Sequence, residues 1–195
     1  MRMNSIQDFW SWFQSRCDYI YQNLELDTDN IAFDITEHLK AINDDLEFEI
    51  PLDVEGKLRE LIISADGQIE LFDLVSNIVK NAPFMKQWKI TAFRPRLHQR
   101  NQIIDLDGIS MDYHDVFFDY EVDLEGIKMF VYLNGYTGKD NRFVHLYFLL
   151  LDSLIGEYDS VKYITSTEVF KLESKKDLKS FPDLIEIIDE FKNKQ

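Results

Sequence analysis

The sequence predicts an α+β protein, in which helices pack on a mixed or mainly antiparallel sheet of about six strands. Three observations carry this prediction. Apolar residues follow a helical spacing over residues 5–24 and 27–44, they alternate with acidic residues over 46–52, and they cover almost the whole surface of a helix predicted at 140–155. Because the links between successive elements are short, we expect most neighbouring strands to pair antiparallel.

The first two predicted helices form a pair at about residues 5–44. The first helix places its apolar side chains three and four positions apart, as one buried stripe requires: Ile6, Phe9, Trp10, Phe13, Cys17, Ile20, Tyr21 and Leu24. The second helix has a similar stripe formed by Ile31, Ile35, Leu39 and Ile42. The short link between the helices predicts an antiparallel arrangement.

For the remaining residues, 46–195, the sequence predicts a mixture of helices and strands. A turn at 53–56 joins two strands into a hairpin, and a helix is expected at 71–82. Further strands are expected at 88–100, 103–106, 109–113, 115–123, 127–133 and 161–170, and the last helix starts near Ser180. Residues 127–133 are apolar on both faces, which is typical of a central strand. A chain of 195 residues fits one domain.

The charge and the cysteine content indicate which kinds of partner the protein can bind and in which cell compartment it is expected. The 36 acidic residues outnumber the 21 lysines and arginines, giving a net charge of -15. Since non-specific nucleic-acid binding depends on neutralising phosphates, we expect no nucleic-acid partner, and a basic protein is a better match. One cysteine, Cys17, cannot form an intramolecular disulfide. With no signal-peptide pattern and no long uncharged apolar stretch, we expect a cytoplasmic protein without membrane association.

The most unusual stretch is WKITAFRPRLHQR, residues 88–100. If it stays extended, Arg94, Arg96, His98 and Arg100 share one strand face, and three of the chain's seven arginines lie here. Arginine binds carboxylates and phosphates with two parallel hydrogen bonds, so these side chains are candidates for an anion or partner site. The alternative is internal pairing with the acidic residues of the predicted strand at 115–123.

A second candidate is the pair Glu157 and Asp159, which is expected at a turn between the long helix and the last strand. Two carboxylates there suit a general acid and base, or an ion-pair network with Arg94 and Arg96. The NGYTGKD segment at 134–140 lacks the first glycine of a nucleotide-binding loop, and the histidines show no metal-binding spacing. We therefore predict no catalytic set, no metal site and no cofactor, and the balance favours a protein that is not an enzyme.

Four segments also carry a resemblance: FWSWF, ELIISADG, NAPFMKQWKITAFRPR and LLLDSLIGEYD. Their order resembles an uncharacterised bacterial protein family, a domain of unknown function in which FWxWF, AFRPR and LLD–GEYD segments recur. The resemblance covers about residues 9–160. It implies a bacterial, cytoplasmic, single-domain protein and implies no activity.

Two functional hypotheses follow from the sequence. The first is an acidic protein-interaction module, such as an inhibitory or immunity-type protein. The second is a small anionic-ligand-binding or enzymatic domain in which Arg94 and Arg96, with His98 or Arg100, hold the ligand and Glu157 or Asp159 assists. The sequence leaves the oligomeric state open.

Overall fold

The computed structural model describes residues 5–51, 58–97 and 102–194. Contacts divide the chain into two compact units, Met1–Arg94 (unit 1) and Pro95–Gln195 (unit 2). Both units combine helices with mixed or antiparallel sheets, which confirms the predicted α+β class. Within the described ranges the strands are distributed over sheets of three, two and four strands, and not over one sheet of about six. The single-domain organisation stays a prediction.

Unit 1 contains the predicted helix pair and the two strands of the predicted hairpin, while the turn predicted at 53–56 lies outside the described residues. Its elements are α1 (Ser5–Asn23), α2 (Thr28–Lys40), β1 (Glu47–Glu49), β2 (Arg59–Ser64), α3 (Phe72–Lys80) and β3 (Trp88–Ala92). β1 pairs antiparallel with β2, and β2 pairs parallel with β3. The parallel pair needs a crossover connection, and α3 lies in that connection.

The apolar stripes of α1 and α2 form much of the core of unit 1. Phe9, Phe13, Ile35 and Leu39 are almost fully buried. Two indole groups also hydrogen-bond to backbone carbonyls: Trp10 Nε1 donates to Ile78 O at 2.9 Å, and Trp88 Nε1 donates to Cys17 O at 3.2 Å. These bonds satisfy the polar atom of each ring, as a large buried side chain requires.

Unit 2 contains β4 (Ile103–Leu106), β5 (Ile109–Asp112), β6 (Val116–Val122), β7 (Ile127–Leu133), α4 (Asn141–Ile155), α5 (Glu157–Tyr163), β8 (Ile164–Lys171), β9 (Lys179–Ser180) and α6 (Leu184–Lys192). β4 and β5 correspond to the strands predicted at 103–106 and 109–113, and they pair antiparallel as a hairpin. The other four strands follow the order β8-β7-β6-β9, so β7 is the central strand that the sequence predicts. The helix predicted at 140–155 is present as α4 and packs into the core.

The predicted start of the last long strand is wrong. Residues 157–163 form helix α5, and the strand expected at 161–170 begins at Ile164. Gly156 separates α4 from α5 with φ +85°, a conformation that glycine adopts without strain. Glu157 and Asp159 fall in the first turn of α5, where negative charge interacts favourably with the helix dipole.

None of the helices in the described parts of the chain is long and apolar enough to cross a membrane.

Candidate functional site

The predicted basic stripe is interrupted at Phe93. β3 ends at Ala92, and Phe93 has φ +65°, which is uncommon for a residue with a side chain. Its N–H donates to Ile63 O at 2.8 Å, and its ring packs at 4.6 Å from the ring of Phe72. Because this turn breaks the two-residue alternation, Arg94 does not continue the strand face of Trp88.

Arg94 is bonded to carboxylates of unit 1. Its Nε donates to Glu49 at the end of β1, and its Nη1 donates to Asp66 Oδ1 at 3.1 Å. Asp66 follows β2 in the turn that the sequence places at Asp66-Gly67. Both partner carboxylates remain about half exposed. Arg94 therefore links the last residue of β1 to the turn that follows β2.

Arg96 is bonded to three helices of unit 2. Its Nε donates to the carbonyl of Ile155 at the end of α4 at 2.9 Å, and its Nη2 donates to Asp159 Oδ2 in α5 at 2.7 Å. Its Nη2 also lies 2.8 Å from Asp189 Oδ1 in α6. Partial burial would lower the pKa of Arg96, but the carboxylates of Asp189 and Asp159 outweigh it and raise the pKa above its ordinary value.

Asp159 is the buried centre of this ion-pair network, with a side chain only 8% exposed. Besides Arg96, it accepts two hydrogen bonds from Lys192 Nζ at 2.9 and 3.0 Å. A buried carboxylate needs such partners, because an uncompensated charge in the interior is costly. The network of Arg96, Asp159, Asp189 and Lys192 is called the Asp159 network below.

The sequence-predicted site residues therefore do not form one described cluster. Arg94 is bonded within unit 1, whereas Arg96 and Asp159 are bonded to each other within unit 2. Glu157 is fully buried at the start of α5 and does not lie in a helix-to-strand turn. His98 and Arg100 lie outside the described residues.

Arg94 and Arg96 pair internally, as one of the two interpretations expects, but the predicted partner strand is wrong. For Arg100, which lies outside the described residues, the interpretation stays a prediction. β3 pairs with β2 in parallel register, and β6, which carries Asp119 and Glu121, pairs with β7 and β9. The acids that bind Arg94 and Arg96 lie in β1, in the turn after β2 and in helices α5 and α6, all distant in sequence. Strand alternation could not have indicated them.

Asp112, His114 and Asp115 are close together in the sequence and could supply metal ligands, but two of them have a local structural role. Asp112 caps a short helical turn: its carboxylate accepts from the His114 N–H at 2.6 Å, while Asp115 accepts from the Asp112 N–H at 3.1 Å. This reciprocal arrangement is a capping box. Among the residues whose structure is described, no group of three or more His, Cys, Asp and Glu side chains could hold a metal ion.

Unit 1 also contains an open groove of about 480 Å³ between α1 and the end of α3. Its lining is uncharged and includes neither arginine of the predicted stripe: Ile6, Gln7, Trp10, Ser11, Gln14, Asn77, Asn81 and Pro83. Because no charged group converges on this groove, it does not supply the anion site that the second hypothesis needs.

A surface that the sequence analysis missed lies on α2. Phe33 is 63% exposed, and Asp29 and Glu37 lie one helical turn before and after it. Both acids are exposed and have no ion-pair partner among the described residues. We call these three residues the α2 acidic surface. The exposure of Phe33 could have been predicted from the sequence, because Phe33 falls outside the buried stripe of Ile31, Ile35 and Leu39.

Negative charge continues beyond α2. Between Asp18 and Glu49 the sequence has ten carboxylates and one lysine. Asp44, Asp45 and Glu47 follow α2, are exposed, and form no salt bridge within the described ranges. Asp34, Glu25 and Glu49 in this range pair with Arg16, Arg59 and Arg94. Unit 1 thus presents a large aromatic side chain between two exposed acids, Asp29 and Glu37, that form no salt bridge within the described ranges.

No protein-family model, curated protein or solved structure matches the chain. The family suggested by the FWxWF, AFRPR and LLD–GEYD segments stays a prediction.

Proposed function

We propose that the protein is a cytoplasmic bacterial interaction module that binds a basic protein through the α2 acidic surface. One observation carries the proposal: Phe33 is exposed between Asp29 and Glu37, which no cation neutralises among the described residues. An inhibitory or immunity-type role fits this chemistry, because covering the cationic site of a partner would block the partner's own substrate.

The physical argument combines an apolar anchor with charge. Aromatic side chains dominate the affinity of many interfaces when they fill a pocket on the partner. Surrounding charges contribute more to the rate of association and to partner choice than to affinity. A net charge of -15 attracts a basic partner over a distance of about one Debye length, roughly 8 Å at physiological salt.

The alternative, an anionic-ligand-binding or enzymatic domain that uses Arg94 and Arg96, has less support. The guanidinium donors of both arginines already bind carboxylates. A ligand would have to displace Asp159 from Arg96 and leave that buried carboxylate with Lys192 as its remaining cation. Such a displacement costs part of the ion-pair energy that the ligand would gain.

Affinity capture from lysate of the source cells, followed by mass spectrometry, tests the proposal. The baits are the wild-type chain, the charge variant Asp29→Asn/Glu37→Gln, and the anchor variant Phe33→Ser. The matched control is Glu173→Gln/Glu186→Gln, which removes two exposed charges of unit 2. Each captured protein is purified, and its dissociation constant is measured by calorimetry for every bait.

The proposal predicts a captured protein with a basic surface. Its affinity should fall about 5-fold with Asp29→Asn/Glu37→Gln and about 20-fold or more with Phe33→Ser, because anchors contribute more than rim charges. The control should leave the affinity unchanged. A captured partner whose affinity is equal for all four baits would contradict the proposal, as would partners without a basic surface.

A further inference from the structure

The groove between α1 and the end of α3 is lined by neutral hydrogen-bonding side chains. Gln7, Ser11 and Gln14 form its α1 wall, and Asn77 and Asn81 form its α3 wall. The other lining residues are apolar: Ile6, Trp10 and Pro83. Because none of these side chains could compensate a charge, a ligand for the groove is neutral and offers both hydrogen-bond donors and acceptors.

The polar side chains of both walls keep hydrogen-bonding groups available. Asn81 Nδ2 donates to Asn77 Oδ1 at 3.0 Å and to Asn77 O at 2.8 Å. This bond leaves the amide hydrogens of Asn77 and the carbonyl oxygen of Asn81 without a partner among the described residues. Gln7 and Gln14 are exposed, and their carboxamides form no hydrogen bond within the described ranges. The Ser11 hydroxyl donates to Gln7 O at 2.8 Å and keeps its lone pairs as acceptors.

The spacing of these groups fits an extended peptide backbone. Gln7 and Ser11 are four residues apart, as are Asn77 and Asn81, which gives a separation of about 6 Å along each helix. In an extended chain the N–H and C=O groups of every second residue point to the same side, about 6.7 Å apart. Successive residues of a peptide can therefore bond alternately to the α1 wall and to the α3 wall.

The length and the lining of the groove also favour a peptide. The α1 wall, with Ile6 beside it, rises about 12 Å to Gln14, which is the length of about four extended residues. A saccharide would meet the same polar groups, but sugar rings usually stack on an exposed aromatic ring. Trp10 is the aromatic residue of the lining, and it is only 3% exposed with its Nε1 bonded to Ile78 O.

The groove is separate from the α2 acidic surface. Trp12 of α1 stacks on His38 of α2 with ring centroids 3.8 Å apart. Since successive helical residues are about 100° apart around the axis, Trp12 points to the opposite side of α1 from Gln7 and Gln14. A ligand in the groove therefore leaves the α2 acidic surface free.

We propose that this groove binds an uncharged, extended segment of another protein through the peptide backbone of that segment. The two walls bond to alternate residues of the segment, and the apolar lining residues contact its side chains. The inference does not rest on the α2 acidic surface, since it concerns a different face of unit 1 and a ligand without charge.

Nuclear magnetic resonance of the ¹⁵N-labelled full chain tests the proposal, with N-acetylated, C-amidated tetraalanine as the probe. The side-chain N–H signals of Gln7, Gln14 and Asn77 should shift and saturate with a Kd on the order of 1 mM, because neutral hydrogen bonds replace bonds to water. The same peptide with every backbone nitrogen methylated has no N–H donors and should bind about 5-fold more weakly or less.

Two double variants locate the binding site. Gln7→Ala/Gln14→Ala removes the carboxamides of the α1 wall, and Asn77→Ala/Asn81→Ala removes those of the α3 wall. Each variant should weaken peptide binding about 5-fold or more. All four side chains are exposed, so the fold should be kept, and circular dichroism checks it.

The matched control, Gln22→Ala/Asn193→Ala, removes two exposed carboxamides outside the groove and should leave the Kd unchanged. Absence of a saturating shift up to about 20 mM peptide would overturn the proposal. Equal affinity for the methylated peptide would overturn it too, as would wild-type affinity in both folded groove variants. Maltotriose that shifts the same signals when the peptide does not would assign the groove to saccharides instead.

Discussion

Arg94 and Arg96 are two positions apart, have the same exposed fraction of 25%, and nevertheless have different roles. Arg94 binds the carboxylates of Glu49 and Asp66, which are 47% and 59% exposed. Arg96 binds Asp159, which is 8% exposed. An exposed ion pair contributes little to stability, whereas a buried carboxylate depends on its cation.

This difference teaches that a cluster of arginines in sequence need not form one site. The boundary between unit 1 and unit 2 falls between Arg94 and Pro95. Each arginine therefore bonds to acids of its own unit. The central claim is that both arginines stabilise the fold, and that binding is left to surfaces elsewhere. The following predictions test the comparison.

The largest effect is expected when the cation of the buried network is removed. Arg96→Met takes away the bonds to Asp159 and Asp189 and leaves Asp159 with Lys192. The free energy of unfolding should fall by about 3 kcal/mol. Hydrogen exchange with mass spectrometry should show lower protection in α5 and α6.

Arg96→Lys is the control for the Asp159 network. It keeps the charge but cannot reproduce the planar fork of donors, so part of the lost stability should return. If Arg96→Met lowered the free energy of unfolding by less than about 0.5 kcal/mol, the network would not stabilise unit 2.

Arg94→Met should have a smaller effect, because water solvates Glu49 and Asp66 when the cation is absent. We expect a loss of about 1 kcal/mol in the free energy of unfolding. Tryptophan fluorescence during chemical denaturation reports on unit 1, which contains all three tryptophans of the chain.

Arg16→Met provides the matched control for Arg94. Arg16 is more exposed, and its ion pair with Asp34 is long at 3.9 Å. Its removal should change stability by less than about 0.5 kcal/mol. Equal losses for both variants would remove the distinction between a linking arginine and a surface arginine.

A small, pH-dependent effect is expected for Glu60 of β2, whose salt bridge to Lys89 of β3 is 2.7 Å long. Partial burial would raise the pKa of Glu60, but hydrogen bonds from Lys89 and Thr91 outweigh it and hold the pKa below its ordinary value. A lowered pKa stabilises the fold above the ordinary glutamate pKa of about 4.3, and this stabilisation is lost as the pH falls through the folded pKa.

Glu60→Gln should therefore cost about 0.5 kcal/mol at pH 7, and the difference from wild type should disappear near pH 3. Urea denaturation of both proteins across this pH range measures the difference. A difference that stayed constant down to pH 3 would show that the charge of Glu60 does not contribute.

Local patterns in the sequence predict much of the fold. Helices α1 and α2 follow from stripes of apolar residues close together in the chain, and β7 follows from a short run that is apolar on both faces. Helix α5 was missed because the tyrosine and β-branched residues after Asp159 favour a strand by propensity, while Gly156 and two acids at its start favour a new helix.

The site could be predicted only in part. The sequence shows that arginines cluster near residue 95, but Asp159 and Asp189 are 63 and 93 positions from Arg96. The left-handed conformation of Phe93 depends on packing against Phe72 and has no sequence signal of its own. Exposure of Phe33, in contrast, follows directly from its place outside the α2 stripe.

A double-mutant cycle between Arg96 and Asp159 tests the central claim most directly. The free energies of unfolding of wild type, Arg96→Met, Asp159→Asn and the double variant give the coupling energy of the pair. We predict a coupling of about 2 kcal/mol, because removing either partner leaves the other with one ion-pair partner fewer in a partly buried network. A coupling below about 0.3 kcal/mol would contradict the claim and return Arg96 to the candidates for ligand binding.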